Sequence, residues 1–533
     1  MNEMQSGVSR RQFLTQTLSY SAAGLIVPTF LRPHVAWARE NPGRFAGGGG
    51  GAAFGGRILV VVNLQGGNDG LNTVIPFADP NYHAVRPNIG LGQNQVVQIG
   101  AATGLHPSLA PLAGWFEDGR MAVLQAVGYS NMDLSHFRGA DIWLSGSDAQ
   151  PDVRTGWLAR FIEASFPDFP NQYPEAPYGI QQGDSNRLPW QGDRAEVGLV
   201  VDSPESFYSL VLGGYTGEWN DDPPNTRGGD ELGFVRQLDR ETFGYAAAIE
   251  AAASSGQTTV DYPSYGLGDQ LRAVATLISG NLDTPLYLTS TGGFDTHTDQ
   301  LPWHADALSR VAEPIAAFLQ DMQNQGLLDR VLVLTISEFG RRVEENGGFG
   351  TDHGTAAPHF LLGAGVEGGI YGVNPDLTDL DWDGNLKHQH DFRSVYATIL
   401  ERHFGADPAL VSEVLFGDFP TLGCLSGAAP QPARDGSLAA GLPSVDRLRG
   451  VSPNPIRASR GRAEVRFDLA RPAPVRLELF DLSGRRLVEL ARAEMAAGQH
   501  SAPFDLSRLS AGTYFVRMQL PSWQRDARVV VLP

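Results

Sequence analysis

Cysteine and lysine are almost absent from this 533-residue chain: Cys424 is the single cysteine and Lys387 the single lysine. One thiol excludes an intrachain disulfide framework and any thiolate cluster for zinc or iron–sulfur. A metal, if there is one, must be held by Asp, Glu, His or carbonyl oxygens. Positive charge is also scarce, 40 basic against 59 acidic residues for a formal charge of −19, which argues against a general grip on nucleic acid or an anionic membrane. Past the N-terminal segment, no stretch approaches the roughly 18 apolar residues of a spanning helix, so the mature chain is expected without a transmembrane anchor. Glycine is plentiful, at 63 residues with 35 prolines, while hydrophobic residues make up 42%. That composition is globular with Gly-rich loops, and the length suits a large α/β domain with a smaller appendage.

The N-terminus reads as a targeting segment. Ser9-Arg10-Arg11-Gln12-Phe13-Leu14 is a twin-arginine motif, followed by an apolar run to Leu31 and by Ala36-Trp37-Ala38. Charged, apolar and small-x-small segments in that order define an export signal over residues 1–38, with the twin-arginine translocase as partner. Residues 39–56 are a Gly-rich lead-in and 425–455 a Pro/Gly/Ala linker. Beyond Val451 the charge changes sign, with 13 Arg against 8 acidic residues, which supports a domain boundary. Val475, Leu477 and Leu479 alternate with Arg476 and Glu478, and further strand patterns at 463–469, 486–490, 512–520 and 527–532 predict a small immunoglobulin-like β-sandwich over 456–533.

Between 57 and 424, apolar runs at Ile58–Leu64, Met121–Val127, Pro285–Thr289 and Val331–Ile336 fit strands buried in a parallel sheet. Between the last two, Leu308, Val311, Ile315, Phe318, Leu319 and Met322 recur every three or four residues, predicting an amphipathic crossover helix and a βαβ unit. In such sheets reactive groups gather beyond the C-terminal strand ends. The polar motifs fall there: Gln65-Gly66-Gly67-Asn68-Asp69-Gly70, Ser135-His136-Phe137, Gly293-Phe294-Asp295-Thr296-His297 and Ser337-Glu338-Phe339-Gly340-Arg341, with Thr351-Asp352-His353-Gly354 a little further on.

Chemically these are oxygen and imidazole donors beside one hydroxyl. Asp295 and His297, two apart on a Gly-led turn, can face one cation, and a second site can draw on Asp69, Glu338 or Asp352. Divalent ions would activate the Ser135 hydroxyl and stabilise the leaving oxygen of a phosphate or sulfate ester, with Arg341 as a bidentate anion clamp. The same residues have plainer uses: Asp352 can cap a turn, His353 can be a hydrogen-bonded core residue, and Gly-Gly-Asn-Asp-Gly can be loop chemistry alone. His388, His390 and Asp391 are secondary candidates, Asp391 reading as the cap of a helix from Phe392. Residues 205–260 read as an insertion over the sheet.

The strings VVNLQGGNDGLNTVIP, SHFRGADIW, GGFDTH, SEFGR, TDHGTAAPHFLLG and DFRSVYATIL resemble the family named domain of unknown function 1501, over essentially the whole central domain. That family is similar to the alkaline phosphatase and sulfatase superfamily. The resemblance implies a mostly parallel sheet sandwiched by helices and a nucleophile flanked by Asp/His clusters around divalent metals, zinc, magnesium or calcium. By position, Asp69, Asp295, His297 and His353 would be ligands and Ser135 the nucleophile, with His136 as its alternative. Glu338 stands where the superfamily has an Asp-His pair, and Asp352-His353 follows about a dozen residues later. Two registers follow: Glu338 replaces the Asp, or the pair has moved into the loop. The tail strings NPIR, VRLELFDLSGRRLVEL and LSAGTYFVRM resemble the type IX secretion C-terminal sorting domain, implying that machinery as partner and passage through the periplasm to the cell surface or exterior. A carbohydrate-binding or spacer sandwich is the alternative. The expected function is an exported metal-dependent hydrolase of a small anionic ester; the alternative is a non-catalytic surface binding or scaffold protein on the same fold.

Overall fold

The computed structural model describes residues 54–150, 152–167, 169–170, 174–201, 245–426 and most of 447–532. The expected export signal, most of the Gly-rich lead-in, residues 205–244 of the expected insertion and most of the 425–455 linker lie outside the described residues. The chain forms two compact units, divided between Gln431 and Pro432. Among the described residues no helix is long and apolar enough to cross a membrane.

The first unit is built on a nine-stranded sheet. Its strands are β1 Ile58–Leu64, β2 Met121–Gly128, β3 Gly179–Gln181, β4 Gly198–Val200, β5 Leu286–Thr291, β6 Val331–Ile336, β7 Ala357–Gly363, β8 Gly369–Tyr371 and β9 His390–Asp391. The order is β8-β2-β7-β6-β1-β5-β3-β4, with β9 also on β2. Only β7 runs against its neighbours. β1 is central, pairing parallel with β5 (Val60 opposite Tyr287) and β6 (Val60 opposite Val333). Every residue of β1, β2, β6 and β7 is buried, the reason these segments read as unbroken apolar runs: helices cover both faces.

Those helices are α1 Gly70–Thr73, α2 His136–Ser145, α3 Trp157–Ser165, α4 Gly266–Ser279, α5 Gln300–Asn324, α6 Phe392–Thr398 and α7 Pro408–Leu415. Side chains alternate across a strand: Ile58, Val60, Val62 and Leu64 pack toward α4 and α5, while Leu59 and Val61 pack toward α2, α3, α6 and α7. The stripe expected on α5 is wholly buried, Leu308 to Met322. The β5-α5-β6 crossover passes over β1, so β1, β5 and β6 end side by side and their loops share one edge. Asp391 caps α6 through a hydrogen bond from the Arg393 amide at 2.9 Å. The sequence pattern did not anticipate β7 as a strand, although Ala357–Gly363 falls within one of the quoted motifs.

The second unit contains β10 Arg447–Ser452, β11 Ile456–Arg457, β12 Arg462–Leu469, β13 Ala473–Asp481, β14 Arg486–Met495, β15 Gly498–Asp505, β16 Gly512–Leu520 and β17 Trp523–Leu532. A three-stranded sheet, β10-β12-β15, and a five-stranded sheet, β11-β17-β16-β13-β14, enclose one apolar core. Val475, Leu477 and Leu479 point into it, as their period of two requires. β10 lies within the stretch read as linker.

Candidate metal centre

Two glycines open the loop after β1. Gly66 (φ +116°) and Gly67 (φ +72°) occupy backbone space that L side chains rarely adopt. A Cβ on Gly66 would sit 2.5 Å from the Asp295 amide nitrogen, and one on Gly67 would enter the Phe339 ring. The loops after β1, β5 and β6 therefore close on one another, and Arg341 ties them. Its side chain is fully buried. Nε donates to the Gly67 carbonyl (2.7 Å), Nη1 to Thr351 (2.8 Å), and Nη2 to the Gly66 and Phe294 carbonyls and to Asp295 Oδ1 (2.6 Å). The expected anion clamp is thus spent on backbone and on one carboxylate, with no face offered to a ligand.

Asp295 is half exposed and lies at the focus of three imidazoles. His297 Nε2 lies 3.1 Å and His353 Nε2 3.3 Å from Oδ1, and His136 Nε2 lies 3.6 Å from Oδ2. One ligand atom each from His136, Asp295 and His353 falls within 4.8 Å of the others, the one such group of His, Cys, Asp or Glu among the described residues. Each ring is tethered through its other nitrogen. His136 Nδ1 meets Glu338 Oε1 at 2.8 Å, His297 Nδ1 meets Asp352 Oδ1 at 3.0 Å, and His353 Nδ1 meets the Leu134 carbonyl at 2.9 Å.

Carboxylates and carbonyls only accept, so when a ring is neutral its proton sits on Nδ1 and its Nε2 presents a lone pair. His297 Nε2 and His353 Nε2 stand 3.1 Å apart, both turned to the carboxylate. Lone pairs gathered this way repel unless a proton or metal ion lies among them. Nδ1 tethered to an oxygen with Nε2 free is also the arrangement that orients metal-binding histidines. The donor set therefore fits a divalent cation.

The charges agree. Partial burial opposes ionisation of Asp295, but the Arg341 hydrogen bond and charge, with His297, hold its carboxyl below the usual range. Hydrogen bonds from Asn346 and His297 do the same for Asp352. Burial depresses His353, outweighing the Leu134 carbonyl, and favours the neutral ring that a ligand must be.

Of the residues singled out in the sequence, His136, Asp295, His297 and His353 converge. Glu338 and Asp352 join them as tethers rather than through their own approach to the focus; Glu338 Oε1 also accepts from the Gly66 amide at 2.8 Å. Ser135 is exposed at the N-cap of α2, its amide donating to Asp133 Oδ1 at 2.9 Å and its hydroxyl making no capping bond. Asp69 stands apart. It is fully buried, with Oδ2 bound to Arg86 Nη1 at 2.6 Å and to the Gln300 amide, and Oδ1 accepting from the Leu71 amide at 3.2 Å. His388 and His390 lie outside the group. Sequence reasoning missed the Leu134 carbonyl, Asn346 and Gln300, which carry no motif, and gave Thr351 no role although it opens a quoted motif; a carbonyl acceptor has no residue-type signature at all.

Fold and site define an α/β protein with a His/Asp-lined centre at the C-terminal edge of a mostly parallel sheet. Residues 274–415, which include β5, α5, β6 and most of the centre, match the model of a protein family of unknown function, DUF1501. No curated protein matches the chain. Among solved structures the chain is similar to a sulfatase, PsFucS1 from Pseudoalteromonas sp., with 12% identity over 86% of this chain and 85% of that one and a TM-score of 0.31. It is similar also to a phosphonate monoester hydrolase from Silicibacter pomeroyi, with 9% identity over 89% of each chain and a TM-score of 0.32. A further match is PorZ, a surface component of the type IX secretion system of Porphyromonas gingivalis. There the identity is 18% and the TM-score 0.13, over 18% of this chain and only 13% of the other's length.

Proposed function

We propose that this chain is an exported, metal-dependent hydrolase of a phosphate or sulfate ester, with His136, Asp295 and His353 holding a divalent ion and His297 completing the set. The observation that carries this reading is the convergence of three tethered imidazoles on the Asp295 carboxylate. Bound there, zinc, magnesium or calcium would supply Lewis-acid polarisation of an ester oxygen. Glu338, Asp352 and the Leu134 carbonyl keep the three Nδ1 protons in place and the rings in register. Arg341 holds Asp295 ionised and fixes the three loops. Ser135 is the proposed nucleophile, because its hydroxyl is exposed and uncapped between Leu134, whose carbonyl holds His353, and His136. Delivery is part of the proposal: residues 1–38 address the twin-arginine translocase, 57–424 form the hydrolase domain, and 456–533 address the type IX machinery for passage to the surface or exterior.

Elemental analysis of the purified protein, followed by a panel of phosphate and sulfate esters, tests the reading. Bound divalent metal is expected in the wild type. Asp295→Ala and His353→Ala should lose it with an unchanged far-UV spectrum, while Ser135→Ala should lose hydrolysis and keep the ion. A metal-free protein that takes up none on titration overturns the reading. One observation favours the non-catalytic alternative: Asp69 and Arg341, both expected to serve chemistry, are consumed by structure. A binding protein would take up metal, hydrolyse no ester and retain its ligand after Ser135→Ala.

A further inference from the structure

Behind the centre lies a buried polar chain that none of the ligands belongs to. Gln300, the first residue of α5, is fully buried. Its amide nitrogen donates to Asp69 Oδ2, and its carbonyl oxygen accepts from Thr296 Oγ1 at 3.2 Å and from Thr351 Oγ1 at 2.6 Å. Thr296 sits between Asp295 and His297, and Thr351 directly precedes Asp352 and His353. One side-chain amide thus grips both ligand-bearing loops. The Thr351 amide donates to the Thr296 carbonyl at 3.1 Å, joining the loops a second time.

The other end of Gln300 is anchored. Asp69 is paired with Arg86, whose Nε donates to the Val343 carbonyl at 2.8 Å and whose Nη2 donates to the Arg342 carbonyl at 2.7 Å. The direction of each bond is dictated. Asp69 accepts only, so Gln300 must turn its nitrogen to it, and its oxygen is left to take both threonine hydroxyls. No flipped amide satisfies all three partners.

We infer that Gln300 is a positioning residue for the centre: through Thr296 and Thr351 it sets the spacing between the Asp295–His297 turn and the Asp352–His353 turn, using the buried Asp69–Arg86 pair as its fixed point. This rests on the metal reading for its consequence but not for its geometry. It also gives the Asn68-Asp69 motif a role: Asp69 acts on the site from behind.

The test compares wild type with Gln300→Leu, Thr351→Val and Thr351→Ser in the full chain. Two readouts are used: hydrogen exchange at residues 294–299 and 346–354 in chelator, and zinc affinity by calorimetry. Gln300→Leu and Thr351→Val should speed exchange in both segments, leave exchange in β1 and β6 unchanged, and weaken zinc binding by about 10- to 100-fold. Thr351→Ser keeps the hydroxyl and should restore wild-type behaviour. Unchanged exchange in a folded Gln300→Leu protein, or a Thr351→Ser variant no better than Thr351→Val, overturns the inference. If the wild type takes up no zinc while exchange responds as expected, the positioning role stands and the metal reading falls.

Discussion

Asp69 and Asp295 should give opposite results when each is replaced by alanine, and the contrast can be sized from their surroundings. Asp69 and Arg86 have side-chain exposures of 1% and 0%. Removing the carboxylate strands a buried guanidinium, which typically costs about 3–5 kcal/mol. Over roughly 370 residues an unfolding entropy of about 2.1 cal/mol/K per residue gives about 0.8 kcal/mol/K, so Asp69→Ala should lower Tm by about 5 °C. Asp295 is 50% exposed, and Arg341 keeps its carbonyl partners without it. Its removal should shift Tm by at most about 1–2 °C.

Scanning calorimetry in chelator isolates this difference, because bound metal would otherwise stabilise the folded state by mass action. Metal affinity is then measured on the same variants. Asp295→Ala should abolish uptake, whereas Asp69→Ala should weaken it only through Gln300. Burial opposes ionisation of Asp69, but the charge and hydrogen bond of Arg86 hold its carboxyl below the ordinary carboxylate range. A depressed carboxyl contributes its full stability above the unfolded value and loses it as pH falls through the folded one. The Tm gap between wild type and Asp69→Ala should therefore be flat from pH 8 to 5 and narrow only below about pH 4. A metal-free Asp69→Ala protein with wild-type Tm and no metal uptake would refute this assignment and return Asp69 to the ligand set.

Burial depresses His304, His359 and His403 to about 3 and His106 to about 4, from 6.5. The unfolded chain then binds these protons first, so stability is full above pH 6.5 and falls toward pH 4 by about 1.4 kcal/mol per pH unit for each ring. His359→Phe, keeping a ring against Trp143 at 4.8 Å, should flatten that acid slope by one proton; an unchanged slope in denaturant titrations counts against the burial argument. Gly66→Ala should disrupt the centre by driving a methyl against the Asp295 amide, read as lost metal binding and a lower Tm; wild-type affinity would show that the loops are not locked. Glu338→Ala should weaken metal binding about 10- to 100-fold by freeing His136, while Glu338→Gln, still an acceptor, should lose far less. Equal losses would mark the carboxylate as a ligand.

Strands β1, β2, β5 and β6 and helix α5 were legible because strands buried on both faces leave short unbroken apolar runs, and a one-faced helix leaves a period of three to four. Strand β7 was not, since Ala357–Gly363 carries a proline at its second position and ends at a glycine, and local pattern does not reveal that it runs antiparallel between β6 and β2. The convergence of His136, Asp295, His297 and His353 was legible for a related reason: all follow strands, and strand ends share an edge. The division between ligand and tether was not. Glu338 and Asp295 are both acidic residues after buried strands, and only the backbone decides that one meets Nδ1 of His136 and the other the free Nε2 atoms. Arg341 misled because a guanidinium suited to an anion is equally suited to four carbonyls, and glycine turns at positions 66 and 67 supply two of them.

The acidity of the centre determines how an anionic ester could bind there at all. Asp295, Glu338 and Asp352 line it, and among the described residues Arg341 is the one Arg or Lys in contact, its side chain already saturated. The formal charge of the whole chain, −19, has the same sign. Without an ion the centre attracts cations and repels phosphate or sulfate; with a divalent ion the local charge is reversed at the point of contact. Phosphate should therefore bind the metal-loaded protein and not the chelated one, and the gain should vanish in Asp295→Ala. Competing phosphate into the loaded and chelated forms by calorimetry separates the two cases. Equal binding to both would mean that a cation other than the metal receives the anion, and the hydrolase reading would then need a different site.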